Sequence, residues 1–375
     1  MRWRLRAAVV VAALVATPAA HAVAAPPEVT ASSYVLVDPR TGDELAARSP
    51  SARSAMASTT KIMTALLALE RAKLDDIVTV PASATIGGTT AGLGAGEQLT
   101  VGDLLTALMV GSGNDSALAL AEFVSGSEDA FVEAMNARAS ELGLRGTRFA
   151  NPHGLDEGGH YSTARDLVTL AREAMKNEVL AGLVDDRRAS IPGRDGSGTR
   201  NLVSKNDLLD LDPSADGVKT GFTNQAGHAI VARSTRRGVG SLYLALLGSS
   251  GERRRAADSK RLLDWGFRQF SFGTLLTGGR ALASVQVLGT GGERVELVAK
   301  RPVTAPLRVG TPVTRRIIAP ASVKAPVARG QEIGTIEVLQ GERVIGKRLL
   351  VAARAVDSPS RWERLRAGLS QLSPF

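Results

Sequence analysis

The sequence predicts an α/β protein, an α+β sandwich with an antiparallel sheet and a helical subdomain, followed by a small all-β domain. Three observations predict it. Apolar residues recur at three- and four-residue spacing from Ser58 to about Met175. From Gly217 the pattern changes to short apolar strands divided by turns, with one further helix over Arg254 to Phe270. Beyond roughly Phe272 the helical spacing stops, and short strand-like runs alternate with Gly-rich turns.

In chain order, Met-Arg-Trp-Arg-Leu-Arg opens the sequence, an apolar run fills Ala7 to Ala16, and Ala20-His21-Ala22 or Ala22-Val23-Ala24 ends it. A positive start, a short apolar core and an A-x-A end describe a secretory leader over residues 1–24. Read instead as an uncleaved anchor, the run is too short, because a bilayer span needs about 20 apolar residues. Tyr34 to Val37 and Glu44 to Arg48 form a hairpin around Asp38-Pro39-Arg40-Thr41-Gly42. Helices follow on Ile62, Met63, Leu66, Leu67 and Leu69, then over Val101 to Phe123, Ser127 to Leu142 and Ala164 to Met175. Lys219 to Thr223, Ala229 to Ser234 and Leu242 to Leu247 supply the sheet, and the first hairpin and the last helix close it.

The β-domain is expected over residues 273–356, which places the first domain at 25–272. Its strands are Ala283 to Leu288, Arg294 to Val298, Val313 to Ile318, Glu332 to Leu339 and Val344 to Val351. The tail, 357–375, is of another kind. Trp362, Leu365, Leu369 and Leu372 fall on one face of a helix, and Arg361, Glu363, Arg364 and Arg366 fall elsewhere. Such a helix is too polar to span a bilayer and suits the interface, or it docks on the protein itself.

Composition narrows the chemistry. The chain has 375 residues, 44% hydrophobic but only 4% aromatic, so its cores rest on Ala, Val and Leu. It has no cysteine, which excludes thiol catalysis and Cys-based zinc sites. Of four histidines, His21 lies in the leader, and His153, His160 and His228 follow no metalloprotease spacing, so no metal and no cofactor are expected. The net charge of +9 would suit nucleic acid in a cytosolic protein. In an exported one its counterparts are anionic headgroups and acidic wall polymers, or simply solvent, and nucleic acid is not an expected partner.

Three short motifs carry the chemistry. In Ser58-Thr59-Thr60-Lys61, residues i and i+3 share a helix face, so an amine can reach a hydroxyl and deprotonate it without histidine. Ser58 near a helix start would also turn its N–H and the positive dipole end towards an oxyanion. Lys61 is the only lysine with Ser three residues before it. The second motif, Ser112-Gly113-Asn114, reads as a tight connection between helices whose hydroxyl and amide could hold the Lys61 amine. Ser204-Lys205-Asn206 fits the same loose pattern but lies just before the next motif's strand. The third, Lys219-Thr220-Gly221, falls on an edge strand. It offers a fixed cation, a hydroxyl, and a glycine that lets a ligand backbone approach. A cation near Lys61 would also lower that lysine's pKa. Each motif alone could be an ordinary helix face, a Gly-Ser turn or a surface lysine.

S-x-x-K, S-x-N and K-T-G in this order are shared by penicillin-binding proteins and class A β-lactamases. The chain resembles the low-molecular-mass penicillin-binding proteins of the D-alanyl-D-alanine carboxypeptidase family. The resemblance extends to Asn151-Pro152-His153-Gly154-Leu155, His160-Tyr161-Ser162-Thr163-Ala164-Arg165-Asp166, Asp216-Gly217-Val218 before Lys219, and Leu262-Leu263-Asp264-Trp265-Gly266-Phe267. It covers Tyr34 to Phe270 closely and the β-domain more loosely, and it implies a β-lactamase/transpeptidase-like fold for the first domain. The implied substrate is a peptidoglycan stem peptide ending in D-Ala-D-Ala, with β-lactams as acylating mimics. By resemblance Ser58 is the nucleophile and Lys61 the base, while Ser112 and Asn114 position amine and substrate. Lys219 and Thr220 bind the terminal carboxylate, and the N–H groups of Ser58 and Phe222 form the oxyanion hole. An arginine before the last helix assists, either Arg255 or its neighbours Arg253 and Arg254. The tail's amphipathic pattern behind a secretory leader adds an expectation of peripheral attachment to the outer face of the cytoplasmic membrane. Departures lie in Gly88 to Leu93 and Arg200 to Asn206, away from the catalytic atoms. No Glu-x-x-Leu-Asn phrase stands between the second and third motifs, which speaks against a class A β-lactamase. A D,D-endopeptidase and a non-catalytic penicillin- or wall-binding protein are the alternatives.

Overall fold

The computed structural model describes residues 7–12, 25–194 and 197–358. The chain divides into two compact units. One is Ala25–Arg268, and the other comprises, among the described residues, 269–358 together with 7–12.

The first unit is built on a five-stranded antiparallel sheet. Its strands are β1 (Ser33–Asp38), β2 (Asp43–Arg48), β3 (Ala215–Thr223), β4 (Gly227–Arg236) and β5 (Gly240–Ser249), in the spatial order β2-β1-β5-β4-β3. Period-two alternation divides the central strands between two cores. Val35, Val37, Tyr243, Ala245 and Leu247 join the core shared with the helical block. Leu36 and Leu242 turn the other way, onto the helix Glu252–Arg268, where Gly266 lets them close in. A Cβ on Gly266 would come within 2.5 Å of Leu36 Cδ2. This places β3 at an open edge of the sheet, with its outer side available to a peptide.

The helical block comprises α1 (Lys61–Arg71), α2 (Val101–Met109), α3 (Asn114–Ser125), α4 (Glu128–Glu141), α5 (Ala164–Ala174) and α6 (Glu178–Asp185). Side-chain caps start several of them. Thr100 and Asp103 form a capping box on α2, while Ser127, Thr163 and Asn177 cap α4, α5 and α6. The helical stretch over Val101 to Phe123 is two helices, divided where the sequence placed a tight connection at Ser112-Gly113-Asn114. Ser112 sits in the left-handed region at φ 59° and Gly113 caps α3, so the chain cannot continue α2. The last helix ends at Arg268 instead of Phe270, because Phe270–Leu276 pairs with Val303–Arg308. Two small hairpins, Ile77–Thr79 with Gln98–Thr100 and Arg188–Pro192 with Thr199–Val203, were not legible. Their strands are short and half polar.

The second unit is all β among the described residues. Its main sheet buries Val295, Leu297, Ile336, Val338 and Leu350 completely. Ala7–Ala12, inside the expected leader, pairs antiparallel with Val313–Pro320 at one edge. The remainder of the leader, 1–6 and 13–24, and the tail from 359 lie outside the described residues. No described helix is long and apolar enough to cross a membrane.

Candidate active site

The nucleophile motif does not lie on an α-helical face, as its spacing suggested. Ala57–Thr60 is a 3₁₀ turn, and α1 begins only at Lys61. At three residues per turn, i and i+3 eclipse, which brings Lys61 Nζ to 2.9 Å from Ser58 Oγ. The intervening threonines hold this turn. Thr59 Oγ1 donates to the Met56 carbonyl at 2.6 Å and Thr60 Oγ1 to the Ala57 carbonyl at 2.8 Å. They also steady Ala57, which stands at φ 47°, a conformation costing a non-glycine residue on the order of 1–3 kcal/mol.

Two glycines let other backbone close around this turn. A Cβ on Gly154 would fall 2.1 Å from the Ala57 carbonyl oxygen, and one on Gly221 would fall 2.8 Å from Ser58 N. The glycine of K-T-G therefore admits the nucleophile's own backbone, where the sequence suggested it made room for a ligand.

Lys61 is fully buried, and its amine meets three oxygens: Ser58 Oγ at 2.9 Å, Asn114 Oδ1 at 2.7 Å and the His153 carbonyl at 2.6 Å. The amide oxygen and the carbonyl can only accept. A neutral amine, with two N–H groups and one lone pair, therefore spends both hydrogens on them and turns its lone pair to the Ser58 hydroxyl. Burial is the main reason that the amine's pKa falls well below the usual lysine value, and the Lys219 charge adds to it.

Ser112 does not hold this amine. It lines the cleft, and the amine's partners are Ser58, Asn114 and the His153 carbonyl. Asn114 also anchors the loop beyond it, through Nδ2 to the Gly87 carbonyl and its own N–H to the Thr89 carbonyl, both at 2.8 Å. Buried Asp115 continues the work, accepting from the N–H groups of Ala91 and Leu93 at 2.9 and 3.0 Å. The loop whose phrasing departs from the family is thus tied to the residues of the second motif.

At the other end of the cleft, Lys219 is also buried, with its amine 3.1 Å from the Thr220 carbonyl. Burial first, then Arg255 and Lys205, lower its pKa to about 7. Arg255 is 2% exposed and lines the cleft, whereas Arg253 and Arg254 face solvent. Arg255 Nη2 donates to the Lys205 carbonyl at 3.0 Å, and its Nε is buried without a partner among the described residues. Phe222 stacks on His228 at 4.5 Å on the same wall. Ser58, Ser112, Thr220, Gly221, Phe222 and Arg255 line a cleft of about 440 Å³.

Histidine does not compete for the role of base. His153 accepts from Leu155 N through Nδ1, and burial with the nearby Lys61 charge lowers its pKa to about 3. His160 is bound by Ala150 N and Thr60 Oγ1, and burial lowers its pKa to about 4. Both rings are buried and hydrogen-bonded within the fold. No cluster of metal-ligating side chains occurs among the described residues.

What sequence reasoning missed here is the His153 carbonyl, Asp115 and the two threonines. The carbonyl belongs to the Asn151-Pro152-His153-Gly154 phrase, but a backbone acceptor has no side-chain signature. Asp115 directly follows the S-x-N motif, and that adjacency was the available signal.

Residues 20–250 match a family described as D-alanyl-D-alanine carboxypeptidase, and residues 270–358 match the penicillin-binding protein 5 C-terminal domain. Among curated proteins, the chain is 35% identical to the D-alanyl-D-alanine carboxypeptidase DacF of Bacillus subtilis, over 84% of this chain and 83% of that one. It is 32% identical to DacA of Escherichia coli, over 88% and 84%. Among solved structures it is similar to penicillin-binding protein 5 of Haemophilus influenzae, at 30% identity and a TM-score of 0.65, covering 89% of this chain and 100% of that one. The Streptomyces K15 DD-transpeptidase matches with 31% identity and a TM-score of 0.62, over 65% of this chain and 100% of that one.

Proposed function

The chain belongs to the D-alanyl-D-alanine carboxypeptidase family of penicillin-binding cell-wall enzymes, and from that premise we propose the roles of its residues. Ser58 Oγ attacks the carbonyl of the penultimate D-Ala of a stem pentapeptide while its proton passes to the lone pair of Lys61. The oxyanion is received by the N–H groups of Ser58 and Phe222. As the C–N bond breaks, Lys61 returns the proton to the departing amine and free D-Ala leaves. Water then gives a proton to Lys61 and attacks the ester, and Ser58 recovers its hydrogen. Lys219, Thr220 and Arg255 bind the terminal carboxylate, Asn114 holds Lys61 in place, and Gly221 keeps the strand close to the nucleophile. Ser112, on the cleft wall beside Ser58, positions the substrate. A β-lactam opened by Ser58 stops at the acyl stage.

The observation that carries this reading is the 2.9 Å contact of Lys61 Nζ with Ser58 Oγ, beside two partners that can only accept, so that in the neutral amine the lone pair has only Ser58 to face. Its test is fluorescent-penicillin labelling together with release of D-Ala from a pentapeptide. Wild type should do both and Ser58→Ala neither; an unlabelled wild type would overturn it.

Export through the leader 1–24 and attachment of the tail, 357–375, to the outer face of the cytoplasmic membrane belong to the same proposal. They rest on the charge and apolar pattern of those segments. Deleting 360–375 should move the protein from the membrane to the soluble fraction with peptidase activity intact. Unchanged fractionation would end the anchor idea.

A further inference from the structure

A second cavity of about 440 Å³ opens beside the end of β3, and no step above uses it. Arg53, Asp156, Glu157 and Tyr161 line it. The Arg53 guanidinium lies 4.7 Å over the Tyr161 ring, exposed, with no carboxylate partner among the described residues. Asp156 is committed to the fold, since Thr223 Oγ1 donates to it at 2.6 Å and Gln225 N at 3.3 Å, which fixes the end of β3 against the cavity wall. Glu157 is exposed, and Asn151 Nδ2 steadies one of its oxygens at 2.9 Å. The cavity therefore presents one cation on an aromatic face and one carboxylate.

The direction of the substrate brings it here. Lys219 and Thr220 take the terminal carboxylate, and the scissile carbonyl lies at Ser58 beside Gly221. The chain upstream then runs antiparallel to β3, towards Thr223, at about 3.4 Å per residue. The residue before the two alanines comes level with the strand end that Asp156 clamps, and its side chain points to the cavity or away from it by the alternation of an extended chain.

We propose that this cavity is a specificity subsite for the third residue of the stem peptide, taking a side chain whose free end carries both an ammonium and a carboxylate. Arg53 pairs with the carboxylate and Glu157 with the ammonium. The inference rests on the carboxypeptidase reading and names which stem peptide that reading prefers.

The test compares three acylated tripeptides X-D-Ala-D-Ala, with X a 2,6-diaminopimelate, a lysine or a norleucine. In wild type kcat/KM should fall in that order, by about tenfold from first to last. Arg53→Ala should bring the diaminopimelate peptide down to the lysine level. Glu157→Gln, which can keep the Asn151 contact, should weaken both charged peptides. Neither variant should alter the norleucine peptide or the rate of penicillin labelling. Equal rates on all three peptides in wild type, or variants that slow all three alike, would overturn the subsite alone. Loss of penicillin labelling in wild type would overturn the carboxypeptidase reading and the subsite with it.

Discussion

The two ends of the cleft each bury a lysine, and they use burial for opposite purposes. At the Lys61 end, three oxygens surround the amine, and their donor and acceptor rules orient a neutral nitrogen. At the Lys219 end, one carbonyl meets the amine, and two further cations, Arg255 and Lys205, lower its pKa by repulsion. On the proposed roles, the first environment makes a base that needs no incoming group. The second holds like charges together until a carboxylate arrives to satisfy them. Desolvation is the largest influence at both, so the distinction comes from partners and not from depth.

The sharpest way to break this comparison is to put arginine at each end. Arginine keeps the positive charge and cannot deprotonate. Lys61→Arg should lose acylation by roughly 10³-fold or more, since the base is gone. Lys219→Arg should retain the charge and lose only about tenfold in kcat/KM, mainly through KM. Stopped-flow penicillin acylation checks both, and equal losses would mean that the ends are not specialised. Next in size is Asn114→Ala, which removes one obligate acceptor and the loop anchor together. It should lower the acylation rate about 10²-fold, by analogy with loss of a positioned hydrogen-bonding side chain.

The pH profile sharpens the same contrast. Lys61 must be neutral to act, so kcat/KM should rise with pH along an acid limb set by its lowered pKa. Lys219 must be charged to bind carboxylate, so kcat/KM should fall along an alkaline limb near pH 7. Each limb changes tenfold per pH unit at most. Lys219→Arg should remove the alkaline limb and leave the acid limb in place. Survival of the alkaline limb in that variant would assign it to another group.

The S-x-x-K spacing and the order of the three motifs were enough to single out Ser58, Lys61, Asn114 and Lys219 together, and the family resemblance added Arg255 or its neighbours. The periodicity of the two helices within Val101 to Phe123 hides the four-residue break between Met109 and Asn114, which the small residues Gly111-Ser112-Gly113 made legible. The 3₁₀ turn at Ser58 was invisible because i and i+3 are neighbours in both helix types. The His153 carbonyl was invisible for a deeper reason, since a main-chain acceptor depends on how Gly154 lets the loop reach Ala57 and on no side chain at all. Sequence thus pointed to the side chains proposed to act, and the structure adds the backbone groups that surround them.

The smallest effect expected concerns stability, and it separates the two lysines once more. A lysine normally titrates above 10, whereas Lys219 titrates at about 7 in the folded chain. Between those values the unfolded chain holds a proton that the native one does not, so this group's contribution makes stability rise with pH across that window. Below about pH 7 the native state carries the charge against its environment. Lys219→Met, of similar length without the charge, should therefore raise the melting temperature by roughly 2–4 °C at pH 6. The gain should shrink as the pH approaches 10, and carboxypeptidase activity should fall at every pH. A melting temperature unchanged at pH 6 would mean that the buried amine is already satisfied in the free enzyme. The Lys219 end would then be as fully partnered as the Lys61 end.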